Sequence, residues 1–192
     1  MSSKKKSFKV VENTWMTKNI DLKEFNNGDP IPFITTEKEW EKASEKGMPA
    51  CCTTKNSSDE YGLLYNIHAI SDPRGLAPKG WRIPSEKDYE DLINHYAGKF
   101  KAGTYLRSQT GWYDNVFFQK NDFNGLPNGL RYPWGEFEGE GYCGYWALKN
   151  RDETYSFMIL RSDDVDALIF GVTDNGYGYS VRCVKGGDKH KH

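Results

Sequence analysis

Pro78-Lys79-Gly80-Trp81-Arg82-Ile83-Pro84-Ser85-Glu86-Lys87-Asp88 is the stretch whose reading decides the fold. Pro84 closes an extended run and Ser85 opens a helix. The Ser85 hydroxyl can accept from the backbone N–H of Asp88, an arrangement that favours a helix N-terminus. Behind the cap, Tyr89, Leu92, Ile93 and Tyr96 fall on one helical face, and Gly98 supplies a stop. An extended segment therefore feeds directly into an amphipathic helix.

Working outward, Thr36 with Glu39 forms a second capping signal, for a helix near 37–46 with Trp40 and Ala43 on its buried side. Gly47 and Pro49 end it. Residues 8–16 read as one strand with Phe8, Val10 and Trp15 inward. Residues 61–70 form an apolar run that periodicity leaves open between strand and helix. Beyond residue 103 the pattern turns to strands and loops. Residues 142–148, 154–161, 167–172 and 179–184 read as four short strands, and Asn121 to Gly129 carries loop chemistry. Two helices followed by a small, mainly antiparallel sheet with long ordered loops make an α+β domain. Its organisation is a polar arm and first strand over 1–11, a domain over 12–186 and a polar tail over 187–192.

Composition narrows the function. The 192 residues carry 26 Lys+Arg against 27 Asp+Glu, a net charge of −1. That balance excludes generic nucleic-acid binding, which needs clustered cations. No apolar run is long enough to span a membrane, and Met1 to Val10 has no apolar core of a secretory signal. Aromatic residues reach 15% and glycines number 19. Such rings bury large areas and build a core from few residues. Cys51, Cys52, Cys143 and Cys183 show no zinc-ligand spacing. Without an export signal, reduced thiols are the default for them.

The landmarks also form a series: Trp15-Met16, Pro49-Ala50-Cys51-Cys52, Tyr61-Gly62-Leu63-Leu64-Tyr65-Asn66, Gly80-Trp81-Arg82-Ile83-Pro84-Ser85, Phe123-Asn124-Gly125-Leu126-Pro127-Asn128-Gly129, Gly144-Tyr145-Trp146 and Ser180-Val181-Arg182-Cys183-Val184. In this order the chain resembles the Fibrobacter succinogenes major paralogous domain, over roughly residues 12–186. The resemblance implies a C-type-lectin-like fold whose ends meet. It also implies a domain of bacterial surface or secreted proteins that is not established as an enzyme. Related lectin-like domains are ligand-binding heads, including receptor-binding proteins of phage tails. The family's Trp-Trp-Ser-Ser-Thr is here Trp146-Ala147-Leu148-Lys149-Asn150, and the lipoprotein leader of surface members is missing. Cys52 and Cys183 match two family cysteines. The resemblance leaves them as either a disulfide or two core thiols.

Calcium-dependent sugar binding uses Glu-Pro-Asn or Gln-Pro-Asp with Trp-Asn-Asp, so that carboxylates and amides ligate the ion. Neither tripeptide occurs, and Leu126-Pro127-Asn128 lacks the carboxylate. Asp163-Asp164-Val165-Asp166 and the Asn121, Asp122, Asn124 group read as turns, with weak calcium binding as the sharper alternative. No metal or other cofactor is expected. Cys143 reads as a half-buried thiol, His68 as a hydrogen-bonded core residue and His95 as a cation at a helix end.

Tyr145 and Trp146 are assigned to the core. Trp134 and Tyr142, in loop-like sequence, are candidate exposed aromatics that stack on sugar rings or anchor a protein. The Asn150-Arg151-Asp152 turn and the Asp174-Asn175-Gly176-Tyr177 turn supply candidate polar contacts and a third ring. The expectation is a non-enzymatic module binding a glycan or a protein. The missing leader favours a virion or other extracellular particle, with capsid or tail subunits as partners and oligomerisation left open. The alternatives are a decoration protein whose loops pack on neighbouring subunits, a bacterial surface adhesin, and an enzyme of the formylglycine-generating type.

Overall fold

The computed structural model describes residues 6–55, 60–114, 119, 121–152, 154–172 and 174–186. The chain opens with a hairpin, β1 (Ser7–Val10) and β2 (Asn13–Met16), turned at Val11, whose φ is 53°. Helix α1 (Glu37–Glu45) follows, with Thr36 Oγ1 accepting from Glu39 N. Strands β3 (Cys51–Thr53) and β4 (Leu63–Asn66) pair antiparallel, and β4 runs straight into the single turn α2 (Ile67–Ile70). Helix α3 (Glu86–His95) carries the full capping box of Ser85 and Asp88. A second short helix, α4 (Ala102–Leu106), precedes β5 (Asn128–Arg131), β6 (Phe137–Glu140), β7 (Cys143–Lys149), β8 (Tyr155–Arg161), β9 (Ala167–Gly171), β10 (Gly178–Ser180) and β11 (Val184–Lys185).

The domain is α+β, with two corrections to the expected layout. Four helices are present among the described residues, not two, because α2 and α4 are single turns too short to show a periodic stripe. The sheet is not small. Eight strands join in the order β3-β4-β10-β5-β7-β8-β9, with β6 pairing onto β5, and β1-β2-β11 form a second sheet. Most pairings are antiparallel, but β7 runs parallel to β5 and to β10. Residues 61–70 are both strand and helix. The run 179–184 is two strands, broken where Val181 to Cys183 leaves the ladder and Arg182 turns inward.

Alternation along β7 and β8 sets the core. Trp146, Leu148, Met158 and Leu160 face α3, where Tyr89, Leu92 and Ile93 meet them. Trp15 joins this layer edge-on, 4.9 Å from Tyr89 and 6.1 Å from Phe123, and Phe123 lies 5.3 Å from Trp146. All four cysteines are free, buried thiols. Cys52 packs with Trp40 and Leu64, whereas Cys183 packs in a different cluster with Tyr65 and Val181. In this structure the pair is two core thiols in separate clusters.

The opening motif has a physical task. Arg82 exchanges backbone hydrogen bonds of 2.8 and 3.0 Å with Val184, and β11 also pairs with Trp15 in β2. The opening hairpin and the last strand are thus stapled together beside α3. The Arg82 guanidinium grips the Asp88 carboxylate at 2.5 and 3.0 Å, and Asn13 Nδ2 donates to the same carboxylate at 2.6 Å. Burial pushes the Asp88 carboxyl up, but hydrogen bonds from Arg82 and Ser85 outweigh it and hold the group below the ordinary carboxylate range.

Three arginines, Arg107, Arg131 and Arg182, are fully buried. Arg182 donates to Asn19 Oδ1 at 3.0 and 2.7 Å and to the Phe123 carbonyl, and it lies 4.2 Å over the Phe123 ring. Trp146 Nε1 donates to the same Asn19 oxygen at 2.9 Å, while Asn19 Nδ2 donates to the Tyr61 carbonyl at 2.9 Å. One amide oxygen and one guanidinium thus tie four segments together. Burial pushes Arg182 down to about 10, still charged at neutral pH.

Two outcomes follow for stability. Asn19→Ala leaves the Arg182 cation short of its best acceptor, and denaturant unfolding should show a loss of roughly 3–5 kcal/mol. A loss under about 1 kcal/mol would contradict this role. Asp88 titrates with the opposite sign to a base: its stabilisation is full at neutral pH and drains away as the pH falls below about 4, through its depressed pKa. Asp88→Asn should lower stability at neutral pH by about 1–3 kcal/mol and flatten the acid limb of a stability–pH curve. An unchanged acid limb would overturn the assignment.

Candidate functional site

The platform begins with α1. Its buried face carries Trp40, whose Nε1 donates at 3.1 Å to the carbonyl of Gly176, 136 residues away in sequence. The same indole lies 4.6 Å from the guanidinium of Arg131, with Phe137 at 4.8 Å on that cation as well. Arg131 Nε donates to the Gly135 carbonyl at 2.8 Å and Nη1 to the Ile34 carbonyl at 2.9 Å. Two surface turns, 132–136 and 174–177, are therefore anchored on one buried indole and one buried cation. Gly135 sits at φ 102°, and a Cβ there would fall 2.4 Å from Glu37 Cα, so only glycine lets the first turn lie on α1.

On this base the rings of Tyr132 and Trp134 stack at 4.4 Å with planes 9° apart. Tyr177 leans on Tyr132 at 5.6 Å and stacks on Tyr179 at 5.9 Å. Trp134 is 47% exposed. Its Nε1 donates to Glu136 Oε2 at 3.0 Å, and the Tyr132 hydroxyl donates to Glu138 Oε2. The bond to Glu138, with burial adding to it, pushes the Tyr132 hydroxyl up to about 12. Asp174 Oδ1 accepts from Gly176 N at 2.7 Å and fixes the second turn, and the Asn175 carbonyl accepts from Ile67 N at 2.9 Å. Burial lowers His68, and the neighbouring Asp174 partly restores it.

The structure thus brings Trp134, Asp174, Asn175 and Tyr177 into one region and leaves the other candidates elsewhere. Tyr142 is at the turn before β7, hydrogen-bonded to Asp163, which raises its hydroxyl. Asn150, Arg151 and Asp152 are at the far end of β7, about 25 Å along the strand. Asn150 Nδ2 is taken up by Thr154 Oγ1 at 2.8 Å and Ser156 Oγ at 2.9 Å, and Asp152 accepts from Thr154 N at 3.1 Å. Those polar groups build the β7–β8 turn. Arg151 alone faces a pocket of about 240 Å³, shared with Ser85, Glu86, Lys87, Glu90 and Lys149.

Tyr132 was missed in the sequence, although Tyr132-Pro133-Trp134 puts two rings on either side of a proline. Glu136 and Glu138 were missed too. Their alternation about Phe137 is the signal, since it puts Glu136, just before β6, and Glu138, within it, on the same outward side. The rings continue beyond the platform: Tyr179 stacks on Phe157 at 5.2 Å, and Phe157 lies 6.0 Å from Phe170, which is 49% exposed on the outermost strand β9. Trp146 is fully buried, while Tyr145 is half-buried against Phe157 and Tyr179.

Among the described residues no three His, Cys, Asp or Glu side chains converge as a metal site. Asp163 is paired with Arg161 at 3.0 Å. Asn121 Nδ2 donates to the Arg107 carbonyl at 2.8 Å and its Oδ1 accepts from Asn124 N at 2.5 Å, so this asparagine shapes its own turn. Burial pushes the Cys51 and Cys183 thiols up to about 12 and Cys52 up to about 11, and raises Cys143.

No curated protein and no solved structure matches this chain. No helix among the described residues is long and apolar enough to cross a membrane. The sequence profile of the Fibrobacter succinogenes major domain matches residues 9–185, nearly the whole chain, and with it the motifs that staple the opening hairpin to the last strand and build the buried arginine site. The chain belongs to the Fibrobacter succinogenes major domain family.

Proposed function

We propose that this protein is a non-enzymatic binding module with a C-type-lectin-like fold, and that the Tyr132–Trp134–Tyr177 platform takes a glycan. The observation that carries this reading is the parallel stack of exposed Trp134 on half-buried Tyr132, held from below by Arg131 and Trp40. A ring pair fixed in advance loses little conformational entropy on binding. The apolar faces of sugar rings cover such a surface while rim carboxylates accept from hydroxyls. The raised thiols suit packing rather than nucleophilic chemistry. The module works as an exposed part of a virion or another extracellular particle, or as a bacterial adhesin.

A second reading, a decoration protein packed on its neighbours, is favoured by Phe170, exposed on edge strand β9 without a flanking charge inside the strand.

Glycan-array and mucin binding with two variants separates these. Trp134→Ala and Tyr177→Ala should each weaken binding by about tenfold or more, and Trp134→Ala should unfold at the wild-type denaturant concentration. Wild-type affinity in both variants would sink the platform. Loss of particle assembly on Phe170→Ser, with no glycan bound by the wild type, would select the packing reading instead.

A further inference from the structure

The platform's rim is acidic. Glu136 and Glu138 are exposed, and each holds the polar edge of one ring of the stack. Asp174 stands on the adjoining turn, three residues before Tyr177. Among the described residues none of these three carboxylates is in an ion pair. Arg131, which anchors the turn beneath them, is buried. Its Nε and Nη1 donate to the Gly135 and Ile34 carbonyls and its plane lies against Trp40 and Phe137, so it makes no ion pair with the rim. His68 is near Asp174, and burial holds it toward the neutral form.

From this arrangement, and resting on the glycan reading above, we infer that the platform selects amino sugars: glycans whose rings carry a free, protonated amine. Three physical points converge. The open face of Trp134 attracts a cation through its ring quadrupole. Donation from the indole N–H to Glu136 enriches that ring, and the carboxylate itself stands at the ring's edge to receive an ammonium. A neutral sugar would stack and leave the carboxylates without a counter-charge, and a uronic or sialic acid would meet repulsion. A pyranose bearing an amine next to its ring covers the indole with C–H groups and brings the ammonium to Glu136. A lone ammonium on a flexible chain gains only the second contact.

The test is calorimetric titration with a pair of ligands sharing one backbone. These are a β-linked N-acetylglucosamine hexamer, which is neutral, and the fully deacetylated glucosamine hexamer, kept below its amine pKa. The glucosamine oligomer should bind about tenfold or more tightly than its acetylated twin. Raised salt should narrow that gap. The double variant Glu136→Gln, Glu138→Gln should bring the two ligands close together, while Trp134→Ala should lose both. Equal binding of the two hexamers, both dependent on Trp134, would overturn the charge inference and leave the glycan reading intact. No Trp134-dependent binding of any glycan would sink that reading itself. An oligolysine of matching charge that binds as tightly as the glucosamine hexamer would overturn the assignment to sugars. The exposed positions of Glu136 and Glu138 keep the double variant folded, which a matching unfolding midpoint verifies.

Discussion

A guanidinium with no carboxylate partner lies at the centre of this protein. Arg182 is fully buried, and its hydrogen bonds go to Asn19 Oδ1 and the Phe123 carbonyl, with aromatic faces supplying the rest of its surroundings. A buried charge left unmet is costly, so its neighbours have little freedom to move. Asn19 must stay to accept, Phe123 must stay to stack, and Trp146 must donate to the same amide oxygen. Four segments far apart in sequence are held by one planar group.

The same device recurs at Arg131 and Arg107. Arg107 donates to the Gly103, Arg161 and Ser162 carbonyls beside Trp112, tying α4 to the end of β8. The three arginines donate to backbone carbonyls from separate parts of the chain, and each lies against a ring. This explains how a polar chain with few aliphatic residues holds long loops in place. It also explains the placement of the platform: Tyr132 follows Arg131 directly, so the cation that fixes the turn from inside fixes the ring outside.

The sequence carried much of this frame. Capping at Thr36 and Ser85 located α1 and α3, and period-two alternation located β7, β8 and β9. The family was legible from ordered motifs. Single-turn helices such as α2 and α4 leave no periodic trace, and β5 and β6 hide in glycine-rich sequence that reads as loop. Arg182 breaks the last apolar run because a buried arginine reads as a surface residue. At the site, Trp134 and Asp174 were legible as exposed turn residues, whereas Tyr177, expected at the tip of its turn, is half-buried against Tyr132 and Tyr179. Their meeting was not, because it depends on the long-range bond from Trp40 to Gly176. Tyr142 and the 150–152 turn looked alike in sequence, yet the Tyr142 hydroxyl is taken up by Asp163 beyond β8, and Asn150 and Asp152 are engaged within their own turn.

The central claim is that buried cations hold the proposed binding surface rigid in the free protein. Native-state hydrogen exchange at the Tyr132, Gly135 and Gly176 amides tests it most directly. These amides donate at 2.8 Å to the Glu136 carbonyl, 2.9 Å to the Tyr132 carbonyl and 2.7 Å to Asp174 Oδ1. If the account holds, the three exchange only through large openings close in free energy to global unfolding. Rapid exchange through local fraying, with the core amides of β7 and β8 still protected, would contradict it.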